Sequence, residues 1–129
     1  MIKSIAHASF LVEDVQRSLE FYCGVLEIKL NTSRPNFPFD GAWLDLGENG
    51  QQLHLMQLPN PDPKEGRPEH GGKDKHVALV VDDINALAER LEAANITFSR
   101  SKSGRAAFFC RDCDGNALEF SEDFTPAKP

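Results

Sequence analysis

Two stretches of the chain carry the same order of apolar and polar positions. Residues 7–14 read His-Ala-Ser-Phe-Leu-Val-Glu-Asp, and residues 76–83 read His-Val-Ala-Leu-Val-Val-Asp-Asp. Each opens on a histidine, runs through a strand-like apolar segment and reaches an aspartate seven positions on. The period then changes. Val15, Leu19 and Tyr22 mark one stripe, and Ile84, Leu87, Ala88 and Leu91 mark another at i, i+3, i+4 and i+7, one face of a helix. Asp14 and Asp83 stand at the N-cap of each expected helix, where a carboxylate accepts the first free backbone N–H groups.

The later segments repeat as well. Gly50-Gln51-Gln52-Leu53-His54-Leu55 lies over Gly115-Asn116-Ala117-Leu118-Glu119-Phe120, 65 positions further on. An aromatic-rich strand precedes each, with turns at Gly47–Gly50 and Asp112–Gly115. The pattern predicts strands over 3–12, 27–33, 41–47 and 51–57 around a helix at 15–24, then strands over 75–82, 96–99, 106–111 and 117–122 around a helix at 83–94. The expected fold is α+β, one domain spanning 1–129 and built of two βαβββ modules at 1–58 and 75–123. Residues 59–74, rich in Pro, Gly and charge, read as a linker, and 124–129 as a C-terminal tail.

Composition narrows the partners. The 129 residues are 40% apolar and 26% charged, the profile of an ordinary globular domain. Fourteen Lys and Arg against twenty Asp and Glu give a net charge of −6, which argues against nucleic acid or an anionic membrane as partner. No apolar run approaches the roughly 20 residues of a membrane helix, and no signal-peptide core is visible. A cytoplasmic protein is expected. Three cysteines do not make a disulfide framework. Cys110 and Cys113 form a lone CxxC with no second pair, so redox or zinc chemistry is not expected of them.

Strand alternation decides what the repeated His and Glu can do. His7 shares a face with Ser9, and His76 with Ala78; His54 lies opposite Leu53 and Leu55, and Glu119 opposite Leu118 and Phe120. A lone histidine in a strand is ordinarily a satisfied, half-buried residue. Repetition changes that: His7 and His76 occupy one pair of equivalent positions, His54 and Glu119 another. Converging from four strands, they would make a divalent-metal site for Zn, Ni, Fe or Mn, with no thiolate needed. His7, His76 and Glu119 alone would form a two-His, one-carboxylate set. His54 is then either a fourth ligand or a general base beside the metal, and the chain leaves both open. His70, in the linker, reads as a solvated loop residue. Arg34, Arg67 and Arg105 could hold a substrate anion, but read first as solvated surface. Phe37 and Phe39, on a loop, and Trp43 and Phe109, on strands, are candidate pocket aromatics.

Taken in order, His7-x6-Asp14, Ser18-x2-Phe21-Tyr22, Val25-Leu26, His76-x6-Asp83 and Asp112-x-Asp114-Gly115-Asn116-x2-Glu119 resemble the vicinal oxygen chelate superfamily, the glyoxalase, bleomycin-resistance and extradiol-dioxygenase group. The resemblance covers residues 2–123. It implies two βαβββ modules cupped around a divalent metal that chelates neighbouring substrate oxygens. It places metal ligands at His7, His76 and Glu119 with His54 at the fourth site, and gives Glu119 or His54 the proton transfer. A small-molecule substrate and a homodimer follow, the long linker permitting exchange of modules between two chains. The chain also departs from glutathione-dependent glyoxalase I, which has glutamate where His54 stands and arginine where Leu11 stands. The function implied is a glyoxalase-like lyase or isomerase. The alternatives are an Fe(II) extradiol-type dioxygenase, a fosfomycin-resistance-like thiol transferase and a metal-independent small-molecule binding protein.

Overall fold

In a computed structural model, which describes residues 1–101 and 105–123, the chain forms two compact units, Met1–Asp62 and Pro63 onward. The expected tail at 124–129 lies outside the described residues. Each unit is α+β and runs strand, helix, three strands. The first contains β1 (His7–Leu11), α1 (Val15–Leu19), β2 (Lys29–Asn31), β3 (Gly41–Leu46) and β4 (Gln51–Met56). The second contains β5 (His76–Val80), α2 (Ile84–Ala93), β6 (Phe98–Arg100), β7 (Ala107–Arg111) and β8 (Ala117–Ser121). The sheets have the same order, β1-β4-β3-β2 and β5-β8-β7-β6. In each, the first strand pairs parallel with the last, and the other pairings are antiparallel.

The helices begin where the aspartates require. Asp14 Oδ1 accepts from the backbone N–H groups of Gln16 and Arg17 at 3.0 and 3.3 Å, and Asp83 Oδ1 from Ala86 at 3.0 Å. A second acceptor at each helix start comes from the residue just beyond the last strand. Gln57 Oε1 takes the Val15 N–H at 2.9 Å, and Glu122 Oε2 takes the Ile84 N–H at 3.0 Å. The helix expected over 15–24 differs in form: only Val15–Leu19 is α-helical, and Glu20–Val25 is a π-helical turn. That wider turn carries the consecutive aromatics Phe21 and Tyr22, both buried, with ring centroids 4.9 Å apart.

One face of each sheet packs under its helix. In the first unit Leu44, Leu53 and Leu55 are buried there with Val15 and Tyr22; in the second, Phe108, Leu118 and Phe120 with Leu87 and Leu91. The repeat is not rigid in length. Trp43 stands opposite His54 in the β3–β4 register, whereas Phe109 stands opposite Glu119 in the β7–β8 register. The second turn is one residue shorter, so Phe109 rather than Phe108 occupies the place of Trp43.

Leu53 and Leu118 hold equivalent places and are both fully buried. Leu53→Ala and Leu118→Ala are each expected to lower the unfolding free energy by about 2–5 kcal/mol in urea titration. A loss under about 1 kcal/mol at either position would show that its layer is not packed as described.

Candidate functional site

The opposite face of the first sheet carries His7 on β1, Gln52 and His54 on β4, and Trp43 and Asp45 on β3. The rings form a continuous stack. His7 and His54 are 3.9 Å apart between centroids at 14°, and His54 and Trp43 are 4.6 Å apart at 8°. Phe37 leans on Trp43 at 6.4 Å and stacks on Phe39 at 5.5 Å. Arg34 lies over both phenylalanine rings and donates to the Phe39 carbonyl at 2.9 Å. It braces this loop, which differs from the solvated role expected of it. Burial pushes the His54 imidazole below its ordinary range, and the charges of His7 and Arg34 push the same way. The ring is therefore neutral at pH 7.

The corresponding face of the second sheet carries His76 and Ala78 on β5, Glu119 on β8 and Phe109 on β7. His76 meets Phe109 edge to face at 5.5 Å. Its Nδ1 lies 2.9 Å from the backbone oxygen of Asp74. A carbonyl oxygen only accepts, so Nδ1 carries the hydrogen and, in the neutral ring, Nε2 is bare. This is the arrangement that prepares a histidine to ligate a metal through its far nitrogen. Glu119 is 8% exposed, and its Oε1 pairs with Arg105 Nη1 at 3.7 Å. Glu119 thus presents a largely buried carboxylate on the face of His76, paired with a half-exposed guanidinium.

The segment before β5 is more ordered than its composition foretells. Asp74 Oδ2 takes hydrogen bonds from Arg67 Nε at 2.9 Å and Arg111 Nη1 at 2.8 Å, and Arg111 also donates to the carbonyls of Gly115 and Pro68. These guanidinium contacts, led by Arg111, hold the Asp74 carboxyl down at about 2. Arg67 thus belongs to a clamp rather than to open surface. A 3-10 turn at Gly71–Lys73 follows His70, whose Nδ1 accepts from Gly72 N at 3.1 Å and whose Nε2 lies 3.2 Å from the Arg100 carbonyl. His70 also packs on Phe109 at 4.6 Å, so it is a turn-capping residue and not merely solvated. The clamp and the cap escape sequence reasoning because they join residues up to 43 positions apart through side chains.

The structure thus brings His7 and His54 into contact in the first unit, and sets His76 and Glu119 on one face of the second. Within neither unit, among the described residues, do three or more His, Cys, Asp or Glu side chains gather into a group that could hold a metal. An open cleft of about 470 Å³ in the first unit, lined by Glu13, Asp14, Arg34, Asp40 and Gln57 among others, contains none of the four candidates. Asp112, Asp114, Gly115 and Asn116 build the β7–β8 turn: Asp112 Oδ1 accepts from the N–H groups of Asp114 and Asn116 at 2.9 Å, and Gly115 has φ +85°. Burial, with the Asp112 charge adding, pushes the Cys110 thiol up to about 12, so it is no ready nucleophile. Among the described residues no helix is long and apolar enough to cross a membrane.

Residues 4–120 match the family model described as the Glyoxalase/Bleomycin resistance protein/Dioxygenase superfamily. The chain is 32% identical over 127 residues to the uncharacterized protein YaeR of Escherichia coli, covering 94% of this chain and 97% of that protein. It is 31% identical over 128 residues to a lactoylglutathione lyase of Haemophilus influenzae, covering 92% of each. A crystal structure of FosX, a fosfomycin resistance protein from Listeria monocytogenes complexed with Mn(II) and a dihydroxypropylphosphonic acid, matches with a TM-score of 0.71. It covers 93% of this chain and 92% of that one at 16% identity, a likeness of fold.

Asp74 is lowered in the folded state, so its clamp contributes fully above the ordinary aspartate value near 3.9 and is lost as pH falls through about 2. Asp74→Ala is expected to cost about 1–3 kcal/mol at pH 7, because two guanidinium groups lose their acceptor. In thermal melts the gap between variant and wild type should close between about pH 4 and pH 2. A gap that persists unchanged at pH 2 would place the effect in packing instead.

Proposed function

Because the chain belongs to the glyoxalase, bleomycin-resistance and dioxygenase superfamily, we propose that it is a divalent-metal-dependent, glyoxalase-like lyase or isomerase acting on a small molecule with neighbouring oxygen atoms. His7, His76 and Glu119 are the proposed metal donors. His54 is proposed as a fourth donor or as a base. The same reading makes the protein a cytoplasmic homodimer, with neither nucleic acid nor membrane as partner.

The observation that carries this reading is Glu119, a buried carboxylate on the sheet face that also bears His76 with its Nε2 bare. Imidazole and carboxylate donors suit Zn, Ni, Fe or Mn, so the residues fit the group. A bound ion of this kind supplies Lewis-acid stabilisation of charge developing on a substrate oxygen. The chain's own groups do the rest. His54, neutral because burial lowers it, can accept a proton. Glu119, a carboxylate on the face of His76, is the other group that can accept one. The 31% identity to a lactoylglutathione lyase supports the lyase class. Leu11 and His54 stand where that chemistry has arginine and glutamate, which favours a substrate other than a glutathione adduct.

Elemental mass spectrometry on dialysed, untagged protein tests this. About one Ni, Zn, Mn or Fe per chain is expected, and His76→Ala should weaken metal binding by more than the roughly 10–100-fold that outer contacts are worth. Equal metal affinity in His76→Ala would overturn the assignment. Chelation should abolish turnover and a divalent ion restore it. Tight small-molecule binding in chelator without turnover would instead mark a metal-independent binding protein. Oxygen uptake with catechols would mark a ring-cleaving Fe(II) dioxygenase, and consumption of a free thiol a transferase.

A further inference from the structure

The face that bears His7 and His54 also bears Asn31, Asp45 and Gln52, set side by side across β2, β3 and β4. None of the three is a proposed donor. Asn31 Nδ2 donates to the two Asp45 oxygens at 3.1 and 3.2 Å, and Gln52 Nε2 donates to Asp45 Oδ1 at 2.9 Å. On its other side, Gln52 Oε1 lies 2.8 Å from His54 Nε2.

Chemistry fixes the direction of every bond in this chain. An ionised carboxylate accepts and cannot donate. Asp45 is ionised at neutral pH, held below the ordinary carboxylate range by Gln52 first and Asn31 second. Both amides must then turn their NH₂ groups toward it. For Asn31 a separate observation agrees: its Oδ1 accepts from the backbone N–H and the hydroxyl of Ser33 at 2.9 and 2.6 Å. For Gln52 only the carbonyl oxygen remains to face His54. An oxygen of that kind accepts, so the hydrogen lies on His54 Nε2 and the neutral ring leaves Nδ1 bare. The stack between His7 and Trp43 fixes the plane of the ring, and Gln52 fixes which edge points where.

The geometry points to Asn31, Asp45 and Gln52 as positioning residues that commit His54 to its Nε2–H tautomer and make Nδ1 its working nitrogen. What Nδ1 does, as base or as metal donor, rests on the proposed function; the tautomer does not. His76 is held the opposite way, with its hydrogen on Nδ1. The two modules therefore offer different ring nitrogens for chemistry.

Long-range ¹H–¹⁵N correlation on the full, metal-free chain labelled with ¹⁵N-histidine reads the tautomer directly, with His54→Gln identifying the signal. Wild-type His54 should show a protonated Nε2 and a bare Nδ1. In Gln52→Leu the ratio of Nε2–H to Nδ1–H forms should fall about fivefold, the worth of one hydrogen bond. Asp45→Asn, which frees the Gln52 amide to turn over, should lower it as well. His76 should keep its Nδ1–H pattern throughout and so report that each variant is folded. A wild-type His54 protonated on Nδ1 would overturn the assignment. So would an unchanged ratio in both variants with the His76 pattern intact. Metal content separates this from the proposed function. A metal-free protein with the stated tautomer defeats the metal reading alone, and a metal-bound protein with the opposite tautomer defeats the positioning role alone.

Discussion

The parallel pairing between the first and last strand of each module decides which chemistry the protein can have. In the first module it sets His7 against Gln52 and Ser9 against His54; in the second, His76 against Ala117 and Ala78 against Glu119. Because side chains alternate, a slip of one residue in β4 would carry Gln52 and His54 under the helix and turn Leu53 and Leu55 outward. The fully buried leucines hold the register from one side. Hydrogen bonds at the strand ends hold it from another: Val12 N–H to the Met56 carbonyl, and Val81 N–H to the Ser121 carbonyl, each 2.9 Å. Gln57 and Glu122 then tie the same strand ends to the first amide of each helix. Core, sheet and helix start are thus fixed by one alignment.

On that common frame the two modules orient different residues. In the first, the chain Asn31–Asp45–Gln52 ends on His54, the fourth-strand position. In the second, Ala117 stands where Gln52 would be and Arg111 where Asp45 would be, so no such chain can form toward Glu119. Arg111 instead turns to Asp74, whose backbone oxygen takes the Nδ1 hydrogen of His76, the first-strand position. An aspartate whose carboxylate is buttressed by donors stands behind the positioning in both modules, acting through Gln52 in the first and through its own backbone oxygen in the second, on opposite members of the repeated pair. The two modules share equivalent strands, and the differences at Asp45/Arg111 and Gln52/Ala117 separate their uses.

The repeated strand, helix and three strands are legible in the sequence because they rest on periodicity and on two local caps, Asp14 and Asp83, that act within three residues. The shared faces of His54 with Gln52 and of Glu119 with Ala117 follow from strand alternation by the same logic. What escapes the sequence is long-range or depends on a single residue of length. The π-helical turn through Phe21 and Tyr22 looks like plain helix in the apolar pattern. The shorter β7–β8 turn moves Phe109 into the place of Trp43, which no local signal announces. Gln57 meets Val15 across 42 positions and Arg111 meets Asp74 across 37, through polar side chains that periodicity treats as surface. Candidate residues can be named from a pattern. The nitrogen each one offers cannot, since that is set by a neighbour's hydrogen-bond direction.

Those neighbours also set where in pH the arrangement holds together. Two imidazoles stacked 3.9 Å apart cannot both take a charge without repulsion, and burial of His54 opposes its protonation further. A histidine lowered in the folded state weakens folding as pH falls below the unfolded imidazole value near 6.5, because the unfolded chain binds the proton first. Asp74 works in the other window: its clamp is complete above about pH 4 and fails only toward about 2. As acid is added, the first module therefore comes under strain well before the clamp on His76 weakens. The state in which His54 is neutral and both carboxylates are ionised is the neutral-pH state, where the ring stack, the amide chain and the guanidinium clamp are all satisfied together.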